Sequence, residues 1–540
     1  MKTTRTLLAM LFVCNLFVVS VNAQQVSWAL SIGNAGSDQG YDISSDSAGN
    51  IYVTGWFSGT TQFGSQTLTS YGLQDIFIAS YDGNGNLNWV RQGGGSGNDV
   101  SAGIATAANG ESYITGWFAD TARFGDSLVV SNGSLDMFVA KYDASGAIQW
   151  VRHGGGVLDD YGNRVTLMSD GGVALAGSFK DTLTAEGSQI ISSGNRDILL
   201  CRYEANGQLV WLKGVGGSGE DRGYGISQDA DSNCFVTGLF TGNVNFGSTN
   251  LTCNSLFAAF VGKVSAQGDF VWAVKGDGGA NDFARGFGVV TDPAGNAVVN
   301  GFFSGILRMG GSTLNATGGQ YDQDNYLIKF NSGGNVVWAK RTGGPGTDQG
   351  TDLFMTAGGE ILETGFFQGT AYFDATSLIS AGLSDIYLAK YDSAGIVLWA
   401  SGFGGPGNEF SYGVTGTGST IFTTGVLTGF SLFGNIPLVS SGGNDVFIAR
   451  IEVLPTGMVE NRAEAGFNLY PNPSNGDVHI SLPHRPYRLQ LFDDSGRLVW
   501  TRSGVGGEMQ VNWTGMPAGL YRIVAMGRED VYSLPVIFRE

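Results

Sequence analysis

Seven carboxylates recur at one fixed place in this chain: Asp38, Asp99, Asp160, Asp221, Asp282, Asp348 and Glu409 each stand ten residues after a tryptophan. All seven fall in glycine-rich loops. Gathered around one opening, they would attract cations, and Ca2+ could complete its shell of about six to eight oxygens with backbone carbonyls. Acids in such loops also accept hydrogen bonds from the loop's own N–H groups. The recurrence favours this capping role, because a position repeated in every unit answers a need repeated in every unit. Asp159–Asp160 and Glu220–Asp221 double the acid and so break the repeat. They are the carboxylates that a hydrolase or lyase acting on polysaccharide would need, although solvated loops are the simpler expectation for both.

Other chemistry is scarce. Beyond the leader there are three His, and only His153 precedes the C-terminal segment that holds His479 and His484, so no three-histidine metal site forms. Neither His-Glu-x-x-His nor Gly-x-Ser-x-Gly occurs. Gly214–Gly219 spells Gly-x-Gly-x-x-Gly but leads into a strand, where a phosphate loop must open a helix. Asp229-Ala-Asp-Ser-Asn233 begins like a calcium loop but lacks its glycine and closing glutamate. Like Asp82-Gly-Asn-Gly-Asn86, it reads as a turn whose Asp and Asn bond their own backbone. The recurring cations Lys141, Arg202, Lys263, Lys329, Lys390 and Arg450 read as a solvated strand face rather than an anion site. No catalytic residue is assigned.

The elements that position these residues follow from the repeat. Trp28, Trp89, Trp150, Trp211, Trp272, Trp338 and Trp399 are spaced by 61 residues, with one interval of 66. Gly55, Gly116, Gly177, Gly238, Gly301, Gly365 and Gly425 keep step, as do Asp75, Asp136, Asp197, Asp324, Asp385 and Asp445; Ala258 stands in the fourth unit's place. Each unit reads as four short strands of β-branched and aromatic residues between Gly/Asn/Asp turns, as in Ile51–Phe57 and Asp75–Tyr81. Such units suggest propeller blades. The last unit lacks its Trp strand and the first Trp strand has no unit before it. The reading is therefore an all-β fold: a closed seven-bladed β-propeller over 24–453, its N-terminal strand completing the last blade. The Trp set is expected to form core between blades.

The repeated Asp-x-x-Gly-Asn-(Ile/Ala)-(Tyr/Val)-Val-(Thr/Asn)-Gly, as in Asp46–Gly55 and Asp292–Gly301, resembles the SBBP family of β-propeller repeats. That resemblance implies a fold and an extracellular setting, not one reaction.

Composition agrees with a folded, exported chain. Of 540 residues 87 are Gly and only 14% are charged, yet 42% are hydrophobic, which excludes a disordered polymer. A net charge of −18 argues against nucleic acid as a partner. Met1-Lys2 through Ala23 reads as a signal peptide (1–23) whose apolar run is too short to span a bilayer, and no later segment is long enough to do so. Of the four Cys, Cys14 would leave with the signal peptide, and Cys201, Cys234 and Cys253 then make an odd count; a Cys234–Cys253 disulfide is one option and small buried side chains the other.

Composition shifts at Val453. Residues 454–466 read as a linker and 467–540 as a small β-sandwich with strands at Val478–Leu482, Arg488–Phe492, Leu498–Thr501, Met509–Trp513, Gly519–Ala525 and Val531–Phe538. Phe467-Asn-Leu-Tyr-Pro-Asn-Pro-Ser-Asn-Gly476, Leu491-Phe-Asp-Asp-Ser-Gly-Arg-Leu-Val499 and Met516-Pro-Ala-Gly-Leu-Tyr521 resemble the type IX secretion C-terminal sorting domain. The resemblance implies contact with that secretion machinery, export to the cell surface or beyond, and cleavage of the domain with attachment to surface lipopolysaccharide or release. The functional expectation is a secreted or cell-surface, non-enzymatic scaffold for adhesion, structure, or binding of a glycan or protein ligand. No cofactor other than Ca2+ is expected. The alternative is an extracellular polysaccharide-acting enzyme with carboxylates at a propeller mouth.

Overall fold

The computed structural model describes residues 24–319, 321–453, 468–470, 474, 476–493, 498–526 and 531–539; the expected signal peptide and linker lie outside them. The chain divides into two compact units, Gln25–Glu452 and one that includes Val453–Glu540. The regular structure is all β, and no helix among the described residues is long and apolar enough to cross a membrane.

In the larger unit, Gln39–Ser45, Ile51–Phe57, Asp75–Tyr81 and Leu87–Gly94 pair antiparallel in chain order. The same order recurs from the first strands Val100–Thr106, Tyr161–Leu167, Arg222–Gln228, Ala284–Thr291 and Gln349–Met355. The last set comprises Glu409–Thr417, Thr420–Phe433 and Ile436–Val453, and its fourth strand is Gln24–Ile32 from the other end of the chain. Each first strand packs against the next, and Gln39–Ser45 also packs against Glu409–Thr417. Apolar cores lie between neighbouring sheets: Ile43, Val53 and Phe77 share one cluster with Phe422, Val446 and Ile448.

A further hairpin occupies what the sequence suggested was only a long connection. Thr60–Phe63 pairs with Gln66–Thr69, and the later units repeat it. Its strands are four residues long with only Thr61 and Phe63 turned inward, too short an alternation to register as a period. The hairpin of one unit meets the last strand of the unit before it: Gly93 pairs with Phe124 and Gly94 with Arg123.

The repeated strand glycine is imposed by a bulge. Every first strand slips register at one place, between Gly40 and Asp42 and between Gly162 and Arg164 for example. Opposite it, a Cβ on Gly55 or Gly177 would meet a carbonyl oxygen at 1.9 Å, closer than any atoms can pack. Bulges re-aim the side chains beside them, which matters for the site below.

The tryptophans lock one sheet to the next, as their spacing suggested. Trp89 Nε1 donates to Ala144 O at 2.9 Å and Trp150 Nε1 to Ala205 O at 3.0 Å, each 55 residues on. The ring lies against the positive-φ glycine of that same turn; a Cβ on Gly207 would meet the Trp150 ring at 2.9 Å. Trp28 does likewise to Gly83 O at 3.1 Å.

In the C-terminal unit, the expected pairs of short strands run together into Asp477–Phe492 and Leu498–Asn512. Pairing yields one five-stranded sheet with Asn468–Tyr470, Gly519–Met526 and Val531–Phe538. The long hairpin shifts register between Leu482 and Tyr487, and residues from both sides of that break share one core, including Val478, Leu489 and Trp513. The break explains why sequence alone read four strands there.

Candidate binding site

The seven repeated acids accept hydrogen bonds from within their own units. Asp38, Asp99, Asp160, Asp221, Asp348 and Glu409 are buried, and the five Asp use both oxygens to staple their own unit. One accepts the N–H four residues earlier and the other the N–H twenty residues later. Asp99 takes Gly95 N at 2.7 Å and Ala119 N at 2.9 Å; Asp221 takes Gly217 N at 2.7 Å and Thr241 N at 3.0 Å. Glu409 substitutes Ser431 Oγ for the second donor. Asp282, half exposed, takes Gly279 N at 2.7 Å and Ile306 N at 3.1 Å on one oxygen. Burial pushes Asp38, Asp99 and Asp221 up to about 6, and Asp160, Asp348 and Glu409 up to about 7. Among the described residues, no three His, Cys, Asp or Glu gather so as to hold a metal ion.

The strand cations are corrected from the solvated face expected. Lys141, Lys263 and Lys329 are buried and pair with Glu111 at 3.0 Å, Asp229 at 2.8 Å and Asp292 at 3.0 Å. Those acids sit in the turn after the first strand; Asp229, which the sequence placed only as turn chemistry, also accepts Asp231 N and Asn233 N. Cys201, Cys234 and Cys253 are free thiols. His153 lies beside Asp136, Nδ1 to Oδ2 at 3.4 Å. A shallow surface pocket beside Arg91 and Gly146 offers little, since Arg91 already donates to Gly146 O and Ser145 O.

Two features emerge that the repeat had concealed. The first joins distant first strands. Arg164 Nη1 is 2.6 Å from Asp42 Oδ2, and its Nη2 is 2.6 Å from Asp352 Oδ1. All three stand at the residue following the bulge; Gly103, Gly225, Gly288 and Gly413 hold the same place in the other first strands. Asp42 also accepts Ile104 N and Asp352 accepts Val414 N. Burial pushes both carboxyls up, and the shared guanidinium opposes it.

The second lies at the strand ends near the acid-bearing loops. Asp159 and Glu220, the acids that break the repeat, both reach Arg196, at 3.8 and 3.4 Å. Glu220 Oε1 also receives Arg222 Nε at 2.8 Å, and its Oε2 receives Asn195 Nδ2 at 2.7 Å. The Arg196 guanidinium lies 4.6 Å from the centre of the Tyr161 ring, which stands edge-on to Trp117 at 4.9 Å. Both rings are half-exposed. The backbone fixes this arrangement, because Arg196 N donates to Gly219 O and Asp221 N to Arg196 O. Charged hydrogen-bonding groups beside open aromatic faces are the usual make-up of a ligand site. Sequence pattern pointed to Asp159 and Glu220 but not to Arg196, Arg222, Trp117 or Tyr161, whose positions hold a different residue in most units.

Comparison with known proteins bears on both units. Residues 468–537 match the family described as Secretion system C-terminal sorting domain, and residues 27–56 match the Beta-propeller repeat. The sorting domain marks the protein for type IX export to the cell surface or extracellular space. The chain is 23% identical over 481 residues to an uncharacterized WD repeat-containing protein of Acanthamoeba polyphaga mimivirus, covering 69% of this chain and 34% of that one. It is 26% identical over 168 residues to regulatory protein FlaEY of Caulobacter vibrioides, covering 29% and 17%. The chain thus spans about a third or less of the curated relatives it matches. Among solved structures, puromycin hydrolase is 11% identical with a TM-score of 0.41, covering 84% of this chain and 60% of that one. PorZ, a type-IX secretion surface component of Porphyromonas gingivalis, is 10% identical with a TM-score of 0.16, covering 94% and 100%.

Proposed function

We propose that residues 24–453 form a closed seven-bladed β-propeller serving as a non-enzymatic binding scaffold outside the cell, joined by a linker at 454–466 to the sorting domain at 467–540. Closure is supported by the pairing of Gln24–Ile32 with Ile436–Val453 and by the packing of Gln39–Ser45 against Glu409–Thr417. The ligand enters at the mouth where the first strands begin. The observation that carries this reading is the Asp159–Arg196–Glu220–Arg222 constellation beside the half-exposed rings of Trp117 and Tyr161. Binding rather than catalysis is favoured because both carboxylates that depart from the repeat are engaged by guanidinium groups. Arg164 ties first strands together within the fold, so the ligand sits at the mouth and does not thread the axis.

The full mature chain, applied to a glycan array with and without Ca2+, tests the reading. Trp117→Ala and Tyr161→Ala should abolish the signal while Ca2+ changes nothing. Uniformly blank arrays would remove the glycan-binding role. New reducing ends on a bound polysaccharide, lost in Glu220→Gln, would establish an enzyme instead.

A further inference from the structure

Arg285 is the second residue of the strand Ala284–Thr291 and stands in register with Phe302. Its guanidinium carbon lies 5.2 Å from the centre of the Tyr224 ring, 5.5 Å from Phe302, and 5.6 Å from both Phe257 and Phe287. The rings brace one another: Tyr224 and Phe287 are 5.5 Å apart, and Phe287 and Phe302 5.7 Å. Aromatic faces attract a cation but supply no hydrogen-bond acceptor. Arg285 Nε is buried and has no hydrogen-bond partner among the described residues.

Its neighbours sharpen the contrast. Arg196 has the same kind of ring contact and is paired with Asp159 and Glu220. Arg222, at the equivalent place one unit earlier, is paired with Glu220 and also reaches Tyr224. Among the described residues no acid is paired with Arg285. Where the other units carry Asp75 and its counterparts, the unit supplying Phe257 carries Ala258, and its loop residue Asn254 donates instead to Asp277. Burial and the charge of Arg222 both pull the Arg285 guanidinium down, a penalty that an incoming anion would relieve. The result is a planar cation held by aromatic rings, with no ion pair among the described residues, in a strongly acidic chain.

We infer that Arg285 is an anion subsite of the proposed mouth and takes the carboxylate of a uronic-acid saccharide. A guanidinium presents parallel N–H groups that match a carboxylate's two oxygens. The half-exposed rings of Tyr224 and Phe287 offer apolar faces to a sugar ring. Glu220 and Asn195, already joined by a hydrogen bond, offer partners to hydroxyl groups. This inference rests on the binding reading above and names its ligand class.

Isothermal titration of the full mature chain with trigalacturonate and with the neutral galactose trimer separates the two claims. Trigalacturonate should bind, the neutral trimer at least tenfold more weakly, and added salt should weaken the former. Arg285→Gln should cost at least tenfold in trigalacturonate affinity and remove the preference for trigalacturonate over the neutral trimer. Arg285→Lys keeps the charge but not the fork and should lose several-fold; it decides the case if the Gln variant melts early. Unchanged binding by the variants, equal binding of the two trimers, or no binding of trigalacturonate would each overturn the uronate assignment. So would binding of a short peptide through its free carboxylate in place of the sugar. Neutral glycans that still bind through Trp117 would then leave the scaffold reading standing.

Discussion

Arg164 and Asp352 meet at 2.6 Å across 188 residues of chain. With Asp42 on the other side of the guanidinium, the contact unites three first strands that are not neighbours in sequence. Removing one member of a buried ionic cluster leaves the others unpaired, which typically costs about 3–5 kcal/mol. Arg164→Met should lose that much at neutral pH and less at pH 5, where Asp42 and Asp352 more readily hold a proton. Guanidinium denaturation at the two pH values checks it; equal losses would mean that the carboxylates are not what the arginine satisfies.

The acid staples predict an inverted response to mild acid. Six carboxyls sit at about 6 to 7 when folded against ordinary values of 3.8 and 4.5. The folded state therefore holds more protons than the unfolded one between those limits, and stability falls as pH rises through them. Carboxyls held low, such as Asp229 and Asp292, give up stability only below about pH 4. Calorimetry should show a higher melting temperature at pH 5 than at pH 8. Asp160→Asn should flatten the slope, and Ca2+ should shift nothing. A calcium-dependent rise that disappears in that variant would restore the metal reading.

The tryptophan lock is testable from either side. Trp150→Ala removes a buried ring and its bond to Ala205 and should cost about 3–5 kcal/mol. Gly207→Ala should also destabilise, because its φ is +86° and the ring leaves a Cβ no room. If the alanine is tolerated at Gly207 in a denaturant titration, the turn does not press on the tryptophan.

Deleting residues 24–31 strips the strand partner of Ile436–Val453 and the Trp28 contact with Gly83. The melting temperature should drop sharply, with aggregation at the exposed edge. A truncated protein that melts unchanged would contradict a closed ring.

Periodicity made the framework legible. The spacing of the tryptophans, the strand glycines and Asp75 with its counterparts located strands, turns and inter-sheet core, because each answers a demand every unit shares. The same filter concealed the site. Arg164, Arg196 and Arg285 occupy places where other units carry Gly103, Gln74 or Val100, so no repeated signal marks them, and their partners come from other units. Asp159 and Glu220 were visible only because they sit beside a repeated acid. The hairpin Thr60–Phe63 was missed for a different reason: two inward residues do not make a period.

One consequence follows from the strand that the chain's two ends share. The hydrogen-bonding neighbour of Gln24–Ile32, Ile436–Val453, is made more than four hundred residues later, as the 408-residue span from Ser31 to Val439 indicates. Until then the early strand waits with an unfilled edge. Contacts so distant in sequence form slowly, so completing the domain is governed by the encounter of its ends. In the proposed closed ring, a translocating chain would stay open until Ile436–Val453 had been delivered.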